Sequence, residues 1–187
     1  ALGPILPGLD KYLSSVEDDS ARTQSFYSLL EALDADIHSG AQLSSAVLVA
    51  TMVHDLVAAR LPAQDPGGPS PTVRDVARAA DAILDPFTMS SRLPKRDAAK
   101  ARRLLTLQGR FTNTANERTR PLLFCLMEDF EEALALFRIR TRALGRGWDI
   151  YEGWVDRARQ AESLSEEELS SERKRGRKRR RRRKKRR

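Results

Sequence analysis

The dipeptide His54-Asp55 is the one place in this sequence that invites a metal-dependent reaction. Imidazole and carboxylate ligands suit a divalent cation that activates water, and His38, Asp81 and Asp85 are available to complete such a set. The chain has only 2 histidines, however, and a polar stripe on a mostly buried helix accounts for the same residues without chemistry. Other catalytic signals are weaker still. Gly67-Gly68 lies among prolines with no following Lys-Ser/Thr, so it is not a phosphate loop. No Ser/His/Asp set has recognisable spacing, and the pairs Asp18-Asp19 and Glu131-Glu132 read as helix-surface charges. The single cysteine, Cys125, rules out an internal disulfide and a Cys-based zinc site. It sits in the apolar run Pro121-Leu-Leu-Phe-Cys-Leu-Met127, where a small buried thiol is expected.

The cations carry a stronger signal. Among 187 residues, 34 Lys and Arg against 26 Asp and Glu leave a net charge of +8, but the charge comes in blocks. Residues 1–90 hold 5 basic and 12 acidic side chains, residues 91–160 hold 15 and 9, and residues 161–172 hold 5 Glu and no base. Residues 173–187 then contain 14 Lys and Arg and one Gly. Such a run buries nothing and repels itself, so it is expected to be disordered. It binds polyanions by releasing condensed counterions, and its arginines also contact phosphate bidentately and stack on unpaired bases. Fully extended, fifteen residues reach roughly 50 Å. Nuclear import or a membrane surface are other uses of such a run, but no acyl site or amphipathic anchor flanks it. A second cluster comprises Arg92, Lys95, Arg96, Lys100, Arg102, Arg103 and Arg110. Its members at 92, 96, 103 and 110 recur at helical spacing, while Leu104, Leu105 and Leu107 take other faces. A third, Arg138, Arg140, Arg142 and Arg146, closes a helix whose dipole already favours cations.

The elements that must position these residues are helical. Phe26, Leu29, Leu30, Leu33 and Ile37 share one face of a helix over residues 20–38, with Gly40 just past its end. Residues 44–61 are apolar nearly all round and predict a central helix. Residues 62–71, rich in Pro and Gly, form a loop. Thr72 can cap a helix carrying Val73, Val76, Ala77, Ala80, Ile83 and Leu84. Pro94 precedes a helix over about 95–108. A long helix is expected over 118–144, with Pro121 in its first turn, Leu122, Leu126, Phe130, Ala133, Leu134 and Phe137 inward, and Gly145 stopping it. A last helix covers about 149–160, with Ile150, Trp154, Val155 and Ala158.

The expected fold is therefore all-α: an irregular helical bundle over residues 1–160, an acidic linker over 161–172, and a basic tail over 173–187. Apolar content of 40% and about 170 residues outside the tail suffice for one core. The longest apolar stretch, Ala46-Val-Leu-Val-Ala-Thr-Met-Val53, falls far short of the ~20 residues that cross a bilayer. No secretory signal opens the chain, and one cysteine fits a reducing compartment, so a cytoplasmic protein is expected. The opening Ala1-Leu-Gly-Pro, without Met, suggests a piece of a longer chain.

Several stretches, taken in order, resemble the C-terminal half of bacterial poly(A) polymerases, relatives of the CCA-adding nucleotidyltransferases. Leu6-Pro-Gly-Leu-Asp-Lys-Tyr-Leu13 resembles the segment opening that family's helical body. Leu30-Leu-Glu-Ala-Leu-Asp-Ala-Asp-Ile-His-Ser-Gly40 and Ser45-Ala-Val-Leu-Val-Ala50 are similar to its paired helices around a Gly-containing turn. Leu93-Pro-Lys-Arg96, Leu107-Gln108 and Arg110-Phe111 resemble its basic element, and Phe130-Glu-Glu-Ala-Leu-Ala-Leu-Phe-Arg138 its Phe-x-x-Ala helix. The acidic spacer and terminal Arg/Lys run resemble its basic tail. Two stretches depart: Val53-His54-Asp55 replaces an aromatic-proline pair, and the loop at 62–71 looks particular to this chain.

The resemblance implies an RNA-binding body and tail. The family's chemistry, addition of AMP from ATP to RNA 3′ ends with Mg²⁺, belongs to an N-terminal head whose Gly-Ser-x-x-x-Asp-x-Asp pattern does not occur here. No residue is carried over as catalytic, no cofactor is expected in this chain, and single-stranded RNA 3′ ends are the expected partner. Phosphate contact is assigned to Lys95, Arg96, Arg102, Arg103 and Arg110, with Arg138 and Arg142 on the long helix. Longer-range capture falls to Arg173, Lys174, Arg175, Arg177, Lys178, Arg179, Arg180, Arg181, Arg182, Arg183, Lys184, Lys185, Arg186 and Arg187. Two alternatives remain: a freestanding, non-catalytic nucleic-acid-binding protein, and an HD-type metal phosphohydrolase built on His54-Asp55.

Overall fold

The computed structural model describes residues 20–62, 71–112 and 120–164, with side chains from Thr23 onward. The described residues form seven helices and no strand, the all-α bundle expected. The first, α1, runs Ser20–His38 and ends where Gly40 takes φ +85°. In α2, Ser45–Ala59, the Ser44 hydroxyl accepts the Val47 N–H at 3.3 Å and caps the helix. Eight of its residues are buried, and it packs on α1 and on three later helices, the central place its all-round apolarity predicts.

α3 spans Val73–Ser91 behind a capping box: the Thr72 hydroxyl accepts the Asp75 N–H, and the Asp75 carboxylate accepts the Thr72 N–H at 3.0 Å. The Thr72 hydroxyl also donates to Asp75 Oδ2 at 2.7 Å, and that bond, together with the one from the Thr72 N–H, holds the Asp75 carboxyl below its usual range. α4, Lys95–Thr112, packs back on α3 and on α2, and its start directly after Pro94 is as expected. It runs one turn beyond residue 108, which carries Phe111 into the interior at 0% exposure.

The long helix expected over 118–144 is two helices, α5 (Pro121–Cys125) and α6 (Phe130–Leu144), separated by turns at 126–129. Pro121 opens α5 and Gly145, at φ +63°, ends α6, so both terminal signals hold. The break has a packing cause. Residues six apart on one continuous helix point about 120° away from each other at 3.6 residues per turn. Phe124 and Phe130 are both 1% exposed and meet edge to face at 5.2 Å, which the break permits. Leu126, expected inward, is instead exposed in the turn. α7, Trp148–Glu162, follows Gly147 at φ +93° and runs two residues past the expected end at 160.

The aromatic residues join the second half of the bundle. The Phe111 ring stacks on Phe137 at 5.0 Å and touches Phe124, Phe130 and Trp154 at 5.2, 5.9 and 5.5 Å. Trp154, also fully buried, donates its indole N–H to the Phe111 carbonyl at 3.0 Å, so its polar atom is satisfied inside the core. α1 lies across α6 on the other side. There the inward stripe of α1 ends on Asp36 rather than Ile37: Asp36 is 1% exposed and Ile37 47%. Val73, at the start of α3, also points outward.

Candidate nucleic-acid interface

Asp36 is buried because two arginines from α6 meet it. The Arg138 Nε and Nη2 approach one carboxylate oxygen at 2.9 and 2.8 Å, and the Arg142 Nη1 approaches the other at 2.7 Å. A buried carboxylate needs such pairing, and its loss would leave two cations crowded at a packed interface. The structure thus gives Arg138 and Arg142 an internal partner. Asp36→Asn is expected to lower stability by about 2 kcal/mol, less than a wholly buried pair because both guanidiniums reach solvent. Urea denaturation checks this; a change under about 0.5 kcal/mol would mean the pair contributes nothing.

Pairing also divides the cluster on α4. Lys100 Nζ is 2.7 Å from Glu132 Oε2, and Arg102 Nε is 2.6 Å from Asp81 Oδ1. Arg103 grips Asp129 with Nε and Nη2 at 2.7 and 3.3 Å, and those bonds raise its pKa. Arg110 turns inward, its guanidinium 3.9 Å from the centre of the Phe124 ring with Nη1 at 3.2 Å from the Met127 sulfur. Burial lowers its pKa. The helical spacing of 92, 96, 103 and 110 therefore does not make one free basic face, because the partners of Arg103 and Arg110 come from the α5–α6 turn and α5, distant in sequence.

What stays open is the corner between α3 and α4. Arg92 closes α3 in the left-handed conformation, at φ +56° and ψ +28°, where a residue with a Cβ is uncommon. Leu93, next to it, packs on the core, and Pro94 bars the helical conformation before it, so the chain must turn at Arg92. Arg92 and Lys95 are exposed with no carboxylate within ion-pair distance among the described residues. The Arg96 side chain is 88% exposed and only loosely placed, 3.4 Å from Asp97. Elsewhere Arg60 and Arg146 are exposed singly and Arg74 and Arg78 as a pair one turn apart on α3; here three fall within five residues. A phosphodiester arriving at this corner would displace solvent rather than an internal carboxylate. Arg92 belongs with Lys95 and Arg96 on geometry, and the αL turn that groups them has only the following Leu-Pro as its sequence signal. The tail cations, 173–187, lie outside the described residues, as does most of the acidic linker.

The His54-Asp55 pair is a bridge between helices. The His54 Nδ1–H donates to Asp55 Oδ1 at 2.8 Å, and the Ser25 hydroxyl of α1 donates to Asp55 Oδ2 at 3.2 Å. Burial lowers the His54 pKa, helped by the charge of Arg140, against the pull of Asp55. For Asp55, burial pushes the pKa up, but bonds from His54 and Ser25 and the charges of His54 and Arg140 together carry it below its usual value. Arg140 donates to Gln108 Oε1 at 3.1 Å, and Gln108 in turn donates to the Leu104 and Ala133 carbonyls. The network therefore ties α1, α2, α4 and α6 together. His38 is exposed and bonded to the Asp34 carbonyl, and Asp81 is engaged by Arg102. Among the described residues no three His, Cys, Asp or Glu side chains gather as a metal-binding group. Burial pushes the Cys125 thiol up to about 11, so it is a weak nucleophile at neutral pH.

In comparison with known protein families, the family model described as "Polymerase A arginine-rich C-terminus" matches residues 69–187, more than half of the chain. No curated protein and no solved structure matches. The matched region holds α3 through α7 and the Arg/Lys run, with the stretches at 93–96, 107–111 and 130–138. The stretches at 6–13, 30–40 and 45–50 lie outside it. No helix among the described residues is long and apolar enough to cross a membrane.

Proposed function

The chain belongs to the polymerase A arginine-rich C-terminus family, and from that premise we propose that it is the RNA-holding region of a poly(A) polymerase. Single-stranded RNA lies along the basic corner formed by Arg92, Lys95 and Arg96, while the tail holds a more distant stretch. The 3′ end is thereby presented to a catalytic head that adds AMP from ATP with Mg²⁺, in the cytoplasm during RNA processing. This chain contributes no reacting group; it raises the local concentration of RNA and limits where its end can go. The observation that carries the reading is the selective exposure of the corner, where Arg92 and Lys95 have no carboxylate partner among the described residues and Arg96 only a 3.4 Å contact with Asp97, while Lys100, Arg102, Arg103, Arg138 and Arg142 are held by carboxylates. Those five can supply long-range attraction, but direct phosphate contact costs them an internal partner.

Replacing Arg92, Lys95 and Arg96 together by Gln tests this. Binding of single-stranded RNA is expected to weaken about tenfold or more at low salt, with a log–log salt slope shallower by about 2, as three lost phosphate contacts require. Circular dichroism should be unchanged, since none of the three is buried. An unaltered slope would remove the corner from the binding surface.

A further inference from the structure

Two aromatic side chains among the described residues are exposed, Tyr27 at 52% and Trp148 at 37%. Tyr27 stands on α1 with the carboxylate of Glu31 one turn on. Trp148 stands beside a cation instead, where α6 turns into α7. Gly145 and Gly147, at φ +63° and +93°, reverse the chain there, and Arg146 is exposed between them. No carboxylate lies within ion-pair distance of Arg146 among the described residues. We propose that Trp148 is a platform on which an unpaired RNA base stacks, with Arg146 taking the neighbouring phosphate. The proposal rests on the RNA-holding reading and adds a base contact to its phosphate contacts.

The indole is placed to receive a base. Trp148 and Trp154 are six residues apart on α7 and so point about 120° apart, Trp154 into the core and Trp148 outward. The Tyr151 ring meets Trp148 edge to face at 5.7 Å and 89°, which restricts the indole and lowers the entropy cost of ordering it. The Trp154 N–H is bonded inside the core, whereas the Trp148 N–H has no partner among the described residues and can donate to a ligand. A flat ring beside a guanidinium suits a single strand, because every base has a face to stack and every nucleotide brings a phosphate. Charge sets the orientation. The exposed carboxylates of Asp149 and Glu152 lie on α7 and repel phosphate, so the backbone passes on the Arg146 side. The platform lies at the far end of α6 from the basic corner, since Lys100, which follows the corner on α4, is bonded to Glu132 in the first turn of α6. A strand touching both covers about the length of α6, roughly 20 Å.

Fluorescence tests this, because the chain has 2 tryptophans and only Trp148 is exposed. A single-stranded adenylate oligomer should quench the intact chain, and an abasic oligomer of equal length should not, although it carries the same phosphates. The Trp148→Phe chain, which retains Trp154, should show no quenching yet bind within about threefold of the intact chain, since a phenyl ring still stacks. Trp148→Ala should weaken binding about tenfold or more with an unchanged salt slope, because no phosphate contact is lost. Binding of the adenylate oligomer without quenching would overturn the platform and leave the RNA reading standing, whereas no binding by the intact chain would overturn both. Equal quenching by the two oligomers would also sink the proposal. So would Trp148 emission that changes with protein concentration alone, which would make the residue a contact between copies of this chain.

Discussion

Deleting residues 173–187 should flatten the log–log salt dependence of single-stranded RNA binding by about 5, the largest effect on binding expected for any change to this chain. The reasoning is a count of neutralised phosphates. The deleted run holds 14 cations and one Gly. If about half of them meet phosphates at once, the slope of roughly −0.7 per contact on a single strand gives about −5. Over a fourfold rise in salt, that slope alone is about a thousandfold in affinity. The effect is insensitive to base sequence, because counterion release depends on charge density and not on base edges. Heparin should therefore compete with RNA for the intact chain far better than for the shortened one. Loss of the tail should leave thermal unfolding of the body almost unchanged, since the seven helices among the described residues all precede residue 165. An unchanged slope would take RNA capture away from the tail. The residual binding of the shortened chain should then fall further with the corner substitutions, whose own contribution is a slope of about 2.

Phe111→Ala should destabilise the body by about 4 kcal/mol, the largest stability loss expected from one substitution. Phe111 is fully buried at the end of α4, and its ring touches four others contributed by α5, α6 and α7. Truncation leaves a void walled by rings that cannot close together, because each is fixed by its own helix, and the lost dispersion contacts add to the lost burial. Melting should fall by about 10 °C for a domain of this size. Phe111→Leu, which retains most of the volume, should cost about 1.5 kcal/mol. Urea denaturation with Trp154 fluorescence reads both, since that indole bonds the Phe111 carbonyl. A loss below about 1.5 kcal/mol for the alanine variant would show that the rings are not a single packed unit.

Much of the helix plan was legible because it is written locally. The Thr72 cap, Pro94, Pro121 and Gly145 act on residues within one turn of themselves, so each boundary they mark was visible without a fold. The split of 118–144 was not visible. It arises because Phe124 and Phe130 both pack against Phe111 and Trp154, partners supplied by other helices. Asp36 escaped for the same reason: on one helix it looks like a surface acid beside an apolar stripe, and its arginines are 102 and 106 residues away. Ile37 was consequently expected inward and lies outside.

By itself, then, the sequence determined the helical class, the central place of α2, the charge blocks and the concentration of cations in the second half, all of which follow from composition and near-neighbour periodicity. The family match over residues 69–187 rests on the same linear information. Only the tertiary structure decided which cations remain available. Helical spacing says which side of a helix a residue faces, but it does not say whether a carboxylate from another helix waits there. Asp36, Asp81, Asp129 and Glu132 wait for five of them, and none for Arg92 or Lys95 among the described residues. A charge that is already neutralised at close range has less to gain from a phosphate, so the packing of the bundle, rather than the count of arginines, sets which cations are open to a polyanion.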